Sequence, residues 1–170
     1  MATIITDLKE SFRRGNIYIQ LIYINVGVFI FTTLTGVILQ LFNRSLGGVF
    51  EWLELPASLP RFIIQPWSVL TYMFMHAGVL HILFNMLWLY WFGALFLNFF
   101  SARHLRGVYI LGGICGGLLY MTAYNIFPYF RPMTEYSFML GASASVLAIV
   151  AAPLGNLTTR YVFSFLEPYA

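Results

Sequence analysis

The stretch HAGVLHILFNMLW at residues 76–88 places two polar side chains, His81 and Asn85, inside an apolar run. The run continues without Lys, Arg, Asp or Glu to residue 100. At about 1.5 Å of rise per residue, a helix of this length crosses the roughly 30 Å of a bilayer's hydrocarbon core. His81 and Asn85 are four positions apart, so a helix places them on one face. The stretch therefore predicts a membrane-spanning helix with a polar pair near its start.

The composition of the whole chain extends this prediction. Of its 170 residues, 60% are hydrophobic and only 9% are charged, whereas soluble domains carry about 25% charged residues. We therefore expect an all-α, polytopic membrane helix bundle. Apolar runs predict four transmembrane helices, at residues 18–42, 79–100, 108–127 and 138–153.

The segment between the first two spans, residues 43–78, has a mixed character. It carries charges such as Glu51 and Arg61, and also large aromatic side chains such as Trp52 and Trp67. Because Trp favours the boundary between lipid and water, this pattern predicts an amphipathic, structured loop in the membrane interface. A short helix is expected over residues 67–75, since a proline precedes it.

The distribution of Lys and Arg predicts the orientation. With the N-terminus inside, six of the nine Lys and Arg residues lie on the inner side. Residues 1–17 are then a cytoplasmic N-terminal segment without a signal-peptide pattern, residues 18–153 the transmembrane domain and residues 154–170 a tail. The net charge of +3 is too small to indicate a nucleic-acid partner.

Small residues recur in the third predicted span, where Gly112, Gly113, Gly116 and Gly117 follow one another closely. Such residues let helix backbones approach each other in lipid, so they predict a packing face. Because no strand precedes them and no phosphate-binding lysine follows, they do not indicate a phosphate loop.

A second polar feature lies in the fourth span, in the sequence GASAS at residues 141–145. Ser143 is expected about five residues into that span, and His81 about three residues into its own. Both spans run in the same direction, so these side chains and Asn85 are expected at one depth, around one cavity. The amide of Asn85 and the ring N–H of His81 are donors suited to a developing oxyanion. Two simpler interpretations remain: a polar pair that joins helices, and a serine bonded to its own helix. His104 is expected at the opposite end.

Residues 76–88 resemble the second-span signature of rhomboid intramembrane serine proteases: a His, four residues, a second His, three residues and an Asn. The sequence GASA at 141–144 is similar to the family's Gly-x-Ser-Gly motif, and Pro66-Trp67 to its first-loop motif. The resemblance implies a six-helix core, of which this chain has four helices.

The same resemblance implies roles for individual residues. Ser143 would be the nucleophile, and His81 and Asn85 would stabilise the oxyanion with the Ser143 backbone N–H. His76 would be a supporting structural or water-binding residue, and Gly141 part of the nucleophile motif. It implies no metal or other cofactor. The substrates would be membrane-anchored proteins in the lipid bilayer, and a bacterial inner membrane is the expected location.

The sequence departs from the family pattern at three points. Ala144 replaces the last glycine of the nucleophile motif, and Ser68 replaces an arginine after Trp67. The family's catalytic histidine lies on the sixth span, but no histidine follows His104 here. A serine needs an adjacent base, so the general base is missing unless His76 or His81 substitutes.

Three functional readings follow from this pattern. The first is a rhomboid-type intramembrane serine endopeptidase that is inactive as this 170-residue chain. The second is a non-catalytic rhomboid-like protein that binds client transmembrane helices. The third is a helix-packing fragment without activity.

Overall fold

The computed structural model describes residues 15–43 and 50–166, together with residues 6, 10, 12, 13 and 48, and it describes side chains as far as residue 155. The predicted N-terminal segment 1–17 therefore falls largely outside the described residues. The elements in chain order are α1 (Ile17–Leu41), β1 (Leu55–Pro56), α2 (Leu59–Ile64), α3 (Ser68–Thr71), a 3-10 helix (Tyr72–Phe74), α4 (Val79–Phe96), α5 (Ala102–Ile126), a 3-10 helix (Arg131–Tyr136), β2 (Phe138–Met139) and α6 (Ser143–Leu166).

The prediction of an all-α, polytopic helix bundle is confirmed. In the described part of the chain, α1, α4 and α5 are long and apolar enough to cross a membrane. Helical backbone is expected here, because hydrocarbon offers no water to satisfy peptide N–H and C=O groups. Helix α5, which corresponds to the third predicted span, begins at Ala102 and not at the predicted residue 108.

The start of the fourth predicted span is wrong. Residues 138–139 form β2, which pairs antiparallel with β1 in the register Leu55↔Met139 and Pro56↔Phe138. The helix α6 begins only at Ser143 and continues to Leu166, into the region predicted as a tail. Its apolar part, Ser143–Gly155, is shorter than the other three helices. An apolar pair of residues suits a helix and a strand equally, and the pairing with β1 decides between them.

The helices form a closed arrangement. Helix α4 packs between α1 and α6, and α5 packs against α6 and α1. Two buried tyrosines tie the elements together: the Tyr72 hydroxyl donates to the Gly113 carbonyl at 2.6 Å, and Tyr109 accepts from the amide of Asn25 at 3.1 Å. A buried polar group that finds such a partner avoids the cost of leaving water unpaired.

The loop between α1 and α4 is structured, with α2, β1, α3 and a 3-10 turn. The short helix predicted over residues 67–75 is present as α3 followed by the 3-10 helix. Trp67 stacks on Trp52 at 6.0 Å between ring centroids and donates from its indole N–H to the Trp52 carbonyl at 2.8 Å. The placement of this loop in the membrane interface stays a prediction.

Candidate active site

A cavity of about 370 Å³ lies between α4 and α6. Three polar residues line it, His81, Asn85 and Ser143. Its remaining lining is apolar and consists of Leu80, Phe84, Trp88, Val146 and Leu147. The structure thus brings together the three side chains that the sequence analysis singled out. We call this space the α4–α6 cavity.

Helix α4 positions His81 and Asn85 in its first two turns. Asn85 is buried, and its Nδ2 donates to the His81 carbonyl oxygen at 2.9 Å. A side-chain amide carries two hydrogens, so this bond to its own helix occupies one of them. No other hydrogen bond of this amide is present among the described residues, so its second hydrogen stays available to a ligand in the cavity that Asn85 lines. The backbone bond also fixes the orientation of the amide.

Ser143 is the first residue of α6. It therefore lies at the very start of its helix, and the expected position about five residues into a span is wrong. The first four N–H groups of a helix have no partner within that helix. The backbone N–H of Ser143 is one of these groups, and it lies at the positive end of the helix dipole. The later helix start thus places Ser143, with its hydroxyl and a backbone N–H unused by the helix, in the lining of the cavity.

Gly141 determines how close α6 comes to α4. Its φ is +117°, a conformation that residues with a Cβ rarely adopt. A Cβ at this position would lie 2.7 Å from Cε1 and 2.8 Å from Nε2 of His81. The Gly141 N–H donates to the Tyr72 carbonyl at 2.9 Å. The imidazole of His81 therefore rests directly on the backbone that precedes Ser143, and only glycine fits there.

His76 lies outside the cavity lining, in contact with His81. It is buried, and its ring meets the His81 ring edge to face at 5.1 Å between centroids. Neither of its ring nitrogens has a hydrogen-bond partner among the described residues. Burial, followed by the nearby charge of His81, lowers the pKa of His76 from 6.5 to about 4. His76 is therefore neutral at physiological pH.

The remaining histidine lies elsewhere. His104 is exposed near the start of α5, at the opposite end of the bundle from the α4–α6 cavity, and its Nδ1 is 2.9 Å from the Ser101 hydroxyl. Within the described residues, His81 is thus the one imidazole that lines the cavity. The same residues contain no group of three His, Cys, Asp or Glu suited to a metal ion.

Two features of the site escaped the sequence analysis. The apolar wall of the cavity comes from residues at helical spacing around the polar ones, such as Leu80, Phe84 and Trp88 on α4. This spacing was visible in the sequence. The contact of Ala144 with α5 was not, because it joins two helices: a side chain on Gly116 would overlap the Ala144 methyl group. The alanine that departs from the family motif is therefore accommodated by a glycine opposite it.

Comparisons with known proteins show the family of this chain. Residues 64–168 match the family model described as the Rhomboid domain. The chain is 29% identical over 97 residues to the RHOMBOID-like protein 7 of Arabidopsis thaliana, which covers 57% of this chain and 28% of that protein. It is 29% identical over 102 residues to the Rhomboid-related protein 3 of Homo sapiens, which covers 60% of this chain and 23% of that protein. The chain thus matches about a quarter of the length of these relatives. No solved structure matches it.

Proposed function

Because the chain belongs to the rhomboid family, we propose that the α4–α6 cavity is the nucleophile and oxyanion part of an intramembrane serine endopeptidase site. The observation that carries this proposal is the lining of one cavity by Ser143, His81 and Asn85. Its substrates are membrane-anchored proteins, which reach an apolar cavity through the bilayer.

The donors around Ser143 support an acyl-transfer reaction. Asn85 and His81 on α4 and Ser143 on α6 line the cavity from two helices. Each carries an N–H group that is a candidate donor: the second amide hydrogen of Asn85, the ring N–H of His81 and the backbone N–H of Ser143. When a serine oxygen attacks a peptide carbonyl, that carbonyl oxygen becomes negative, and donors held in advance stabilise it. The contact of His81 with Gly141 holds the imidazole in place before a substrate arrives.

The proton of the Ser143 hydroxyl needs a base. His81 is assigned here to the oxyanion, and His76 lies outside the cavity lining. We therefore propose that the 170-residue chain on its own does not turn over peptide substrates. In serine proteases, loss of one triad member lowers turnover by about 10⁴ to 10⁶.

Labelling with a fluorophosphonate probe tests the nucleophile. The purified chain in detergent should label slowly, and added imidazole, an external base that fits the cavity, should accelerate labelling. Ser143→Ala should abolish the signal. Ser145→Ala is the matched control, because Ser145 lies two positions further along the same helix but is fully buried. If labelling persists in Ser143→Ala, or is lost equally in Ser145→Ala, the nucleophile assignment is wrong.

Cleavage of a generic membrane-anchored substrate in liposomes tests the missing base. We expect no Ser143-dependent cleavage without imidazole. Cleavage by the unassisted chain would contradict this proposal, and its loss in His76→Asn but not in His104→Asn would assign the base to His76.

The alternative function is non-catalytic binding of client transmembrane helices. It is favoured by the exposed apolar side chains beside the cavity, among them Leu80, Phe84 and Leu147. Photo-crosslinking from position 84 to a membrane-anchored peptide distinguishes the two. Capture of the peptide by a chain that neither labels nor cleaves, with or without imidazole, would support this alternative.

The location proposed for this site is the outer side of a bacterial inner membrane, with the N-terminus in the cytoplasm. The Lys and Arg distribution supports this orientation. Single cysteines at positions 48 and 104, in a chain without Cys115, test it with an impermeant thiol reagent. Position 48 should react from outside and position 104 from inside, and the reverse pattern would invert the orientation.

A further inference from the structure

A second cavity, of about 240 Å³, lies in the loop between α1 and α4. We call it the loop cavity. Seven described residues line it, Gly48, Glu51, Trp52, Arg61, Ile64, Gln65 and Phe138. Its wall therefore carries one cation, one anion and two aromatic rings. The α4–α6 cavity shares none of these residues.

The two charged residues of the loop cavity, Arg61 and Glu51, do not hydrogen-bond to each other. Arg61 Nη1 lies 3.9 Å from Glu51 Oε2, and the two side chains are 46% and 49% exposed. This separation is beyond the range of a hydrogen bond, and such an exposed ion pair contributes little to stability. Both groups therefore retain most of their capacity to bind a ligand.

The surrounding residues hold these groups in place. The guanidinium of Arg61 lies over the Phe138 ring, 5.4 Å from its centroid, which leaves its N–H edges free. Gln65 Nε2 donates to the carbonyl oxygens of Glu51 and Glu54 at 3.0 and 3.1 Å and so fixes the backbone that carries the carboxylate. The site is therefore organised before a ligand binds.

The side chains exposed around the loop cavity are those expected at the depth of lipid headgroups. The loop joins the end of α1 to the start of α4, two helices long enough to cross the bilayer. Helix α2, which carries Arg61, exposes Ile63 by 77% and Ile64 by 63%. Apolar side chains exposed next to a charged pair, with Trp52 and Trp67 beside them, are the arrangement expected at a membrane interface.

We propose that the loop cavity binds the phosphoethanolamine headgroup of a membrane phospholipid. The phosphate binds to the N–H edge of Arg61, whose planar fork matches two phosphate oxygens. The primary ammonium donates to the Glu51 carboxylate, and the Trp52 ring offers a face to the cation. A choline headgroup keeps the cation–π contact with Trp52 but has no N–H to donate to Glu51, and a glycerol headgroup has no cation, so neither forms the charged hydrogen bond to Glu51.

Native mass spectrometry of the detergent-purified chain tests this proposal. Phosphatidylethanolamine, phosphatidylcholine and phosphatidylglycerol with the same acyl chains are titrated separately. We expect phosphatidylethanolamine to bind about tenfold more tightly than the other two. Glu51→Gln should lower its affinity to the level of phosphatidylcholine. Arg61→Gln should weaken all three lipids by about tenfold.

The matched control is Arg131→Gln, which removes an exposed arginine near the same end of the bundle but outside the loop cavity. It should leave all three affinities unchanged. If Arg61→Gln fails to fold, Arg61→Lys retains the charge without the fork and should show a smaller loss. Equal affinity of the wild type for the three lipids would overturn the proposal. Equal losses in the Arg61 and Arg131 variants would overturn it as well.

Discussion

Helix α6 is packed tightly on one side and faces a cavity on the other. Towards α5, a side chain on Gly112 would overlap Ala148, and one on Gly116 would overlap Ala144. Towards α4, Ser143 and Leu147 line a space of about 370 Å³. The position of Ser143 is therefore set from the α5 side, and the α4 side leaves the cavity open.

The physical reason for this difference lies in the solvent. Lipid tails are as apolar as the helix surfaces, so burial of apolar groups does not drive helices together in a membrane. Close van der Waals packing does, and small residues permit it. Where α6 lines the cavity, it lacks close packing contacts with α4 among the described residues. Its contacts with α5 therefore have to hold it in place.

The largest loss of stability is expected when a large side chain is added between α5 and α6. Gly116→Leu should lower the free energy of unfolding by more than about 3 kcal/mol, because the side chain has no space beside Ala144. The control is Gly107→Leu on the same helix, where an added Cβ meets no atom within 4 Å. Denaturant titration in micelles measures both. Similar losses in the two variants would show that α5 and α6 are not closely packed at Gly116.

A smaller effect is expected at the border of the cavity. Gly141→Ala should destabilise the protein by about 2 kcal/mol, since its φ of +117° is strained for alanine and its methyl group meets the His81 ring. Gly27→Ala in α1, where a Cβ meets nothing within 4 Å, should not destabilise it. The His81 ring signals in an NMR spectrum should shift only in Gly141→Ala. Unchanged signals there would argue against the contact.

The pH dependence of stability tests the environment of His76. Its pKa of about 4 in the folded state is below the ordinary 6.5, so the unfolded chain binds more protons between these values. Stability is therefore complete above pH 6.5 and is lost as the pH falls towards 4. We expect a loss of about 1.5 kcal/mol between pH 7 and pH 5 from this group.

Unfolding titrations at the two pH values check this loss. His76→Gln should remove most of it, whereas His104→Gln, at an exposed position, should leave it in place. A pH dependence that is identical in wild type and His76→Gln would show that His76 is not buried in the neutral form.

The smallest effect isolates one contact of the packed face. Gly116→Ala should cost about 1 kcal/mol by overlap with Ala144, and Ala144→Gly should cost a similar amount by removing a packed methyl group. The double variant moves the methyl group from one helix to the other and should recover most of the stability. A coupling energy of about 1 kcal/mol or more is expected. Strict additivity would mean that the two positions do not touch.

Much of the membrane architecture follows from the sequence alone. Long runs without charged residues require helices in lipid, because no other element except a closed barrel satisfies its own backbone there. The pairing of His81 with Asn85 on one face follows from their spacing of four residues. The apolar wall residues Leu80, Phe84 and Trp88 have the same spacing of four residues, but they were not predicted from it.

Only the tertiary structure decided where α6 begins and what holds it. The pairing of Phe138 and Met139 with β1 delays the helix to Ser143, and the strand partner lies more than eighty positions earlier in the chain. The contact of Gly141 with His81 and the fit of Ala144 opposite Gly116 likewise join separate elements. Local patterns report the preferences of neighbouring residues. They carry no information about which distant surface a residue contacts. In this protein, the contacts between separate elements place Ser143 at the cavity.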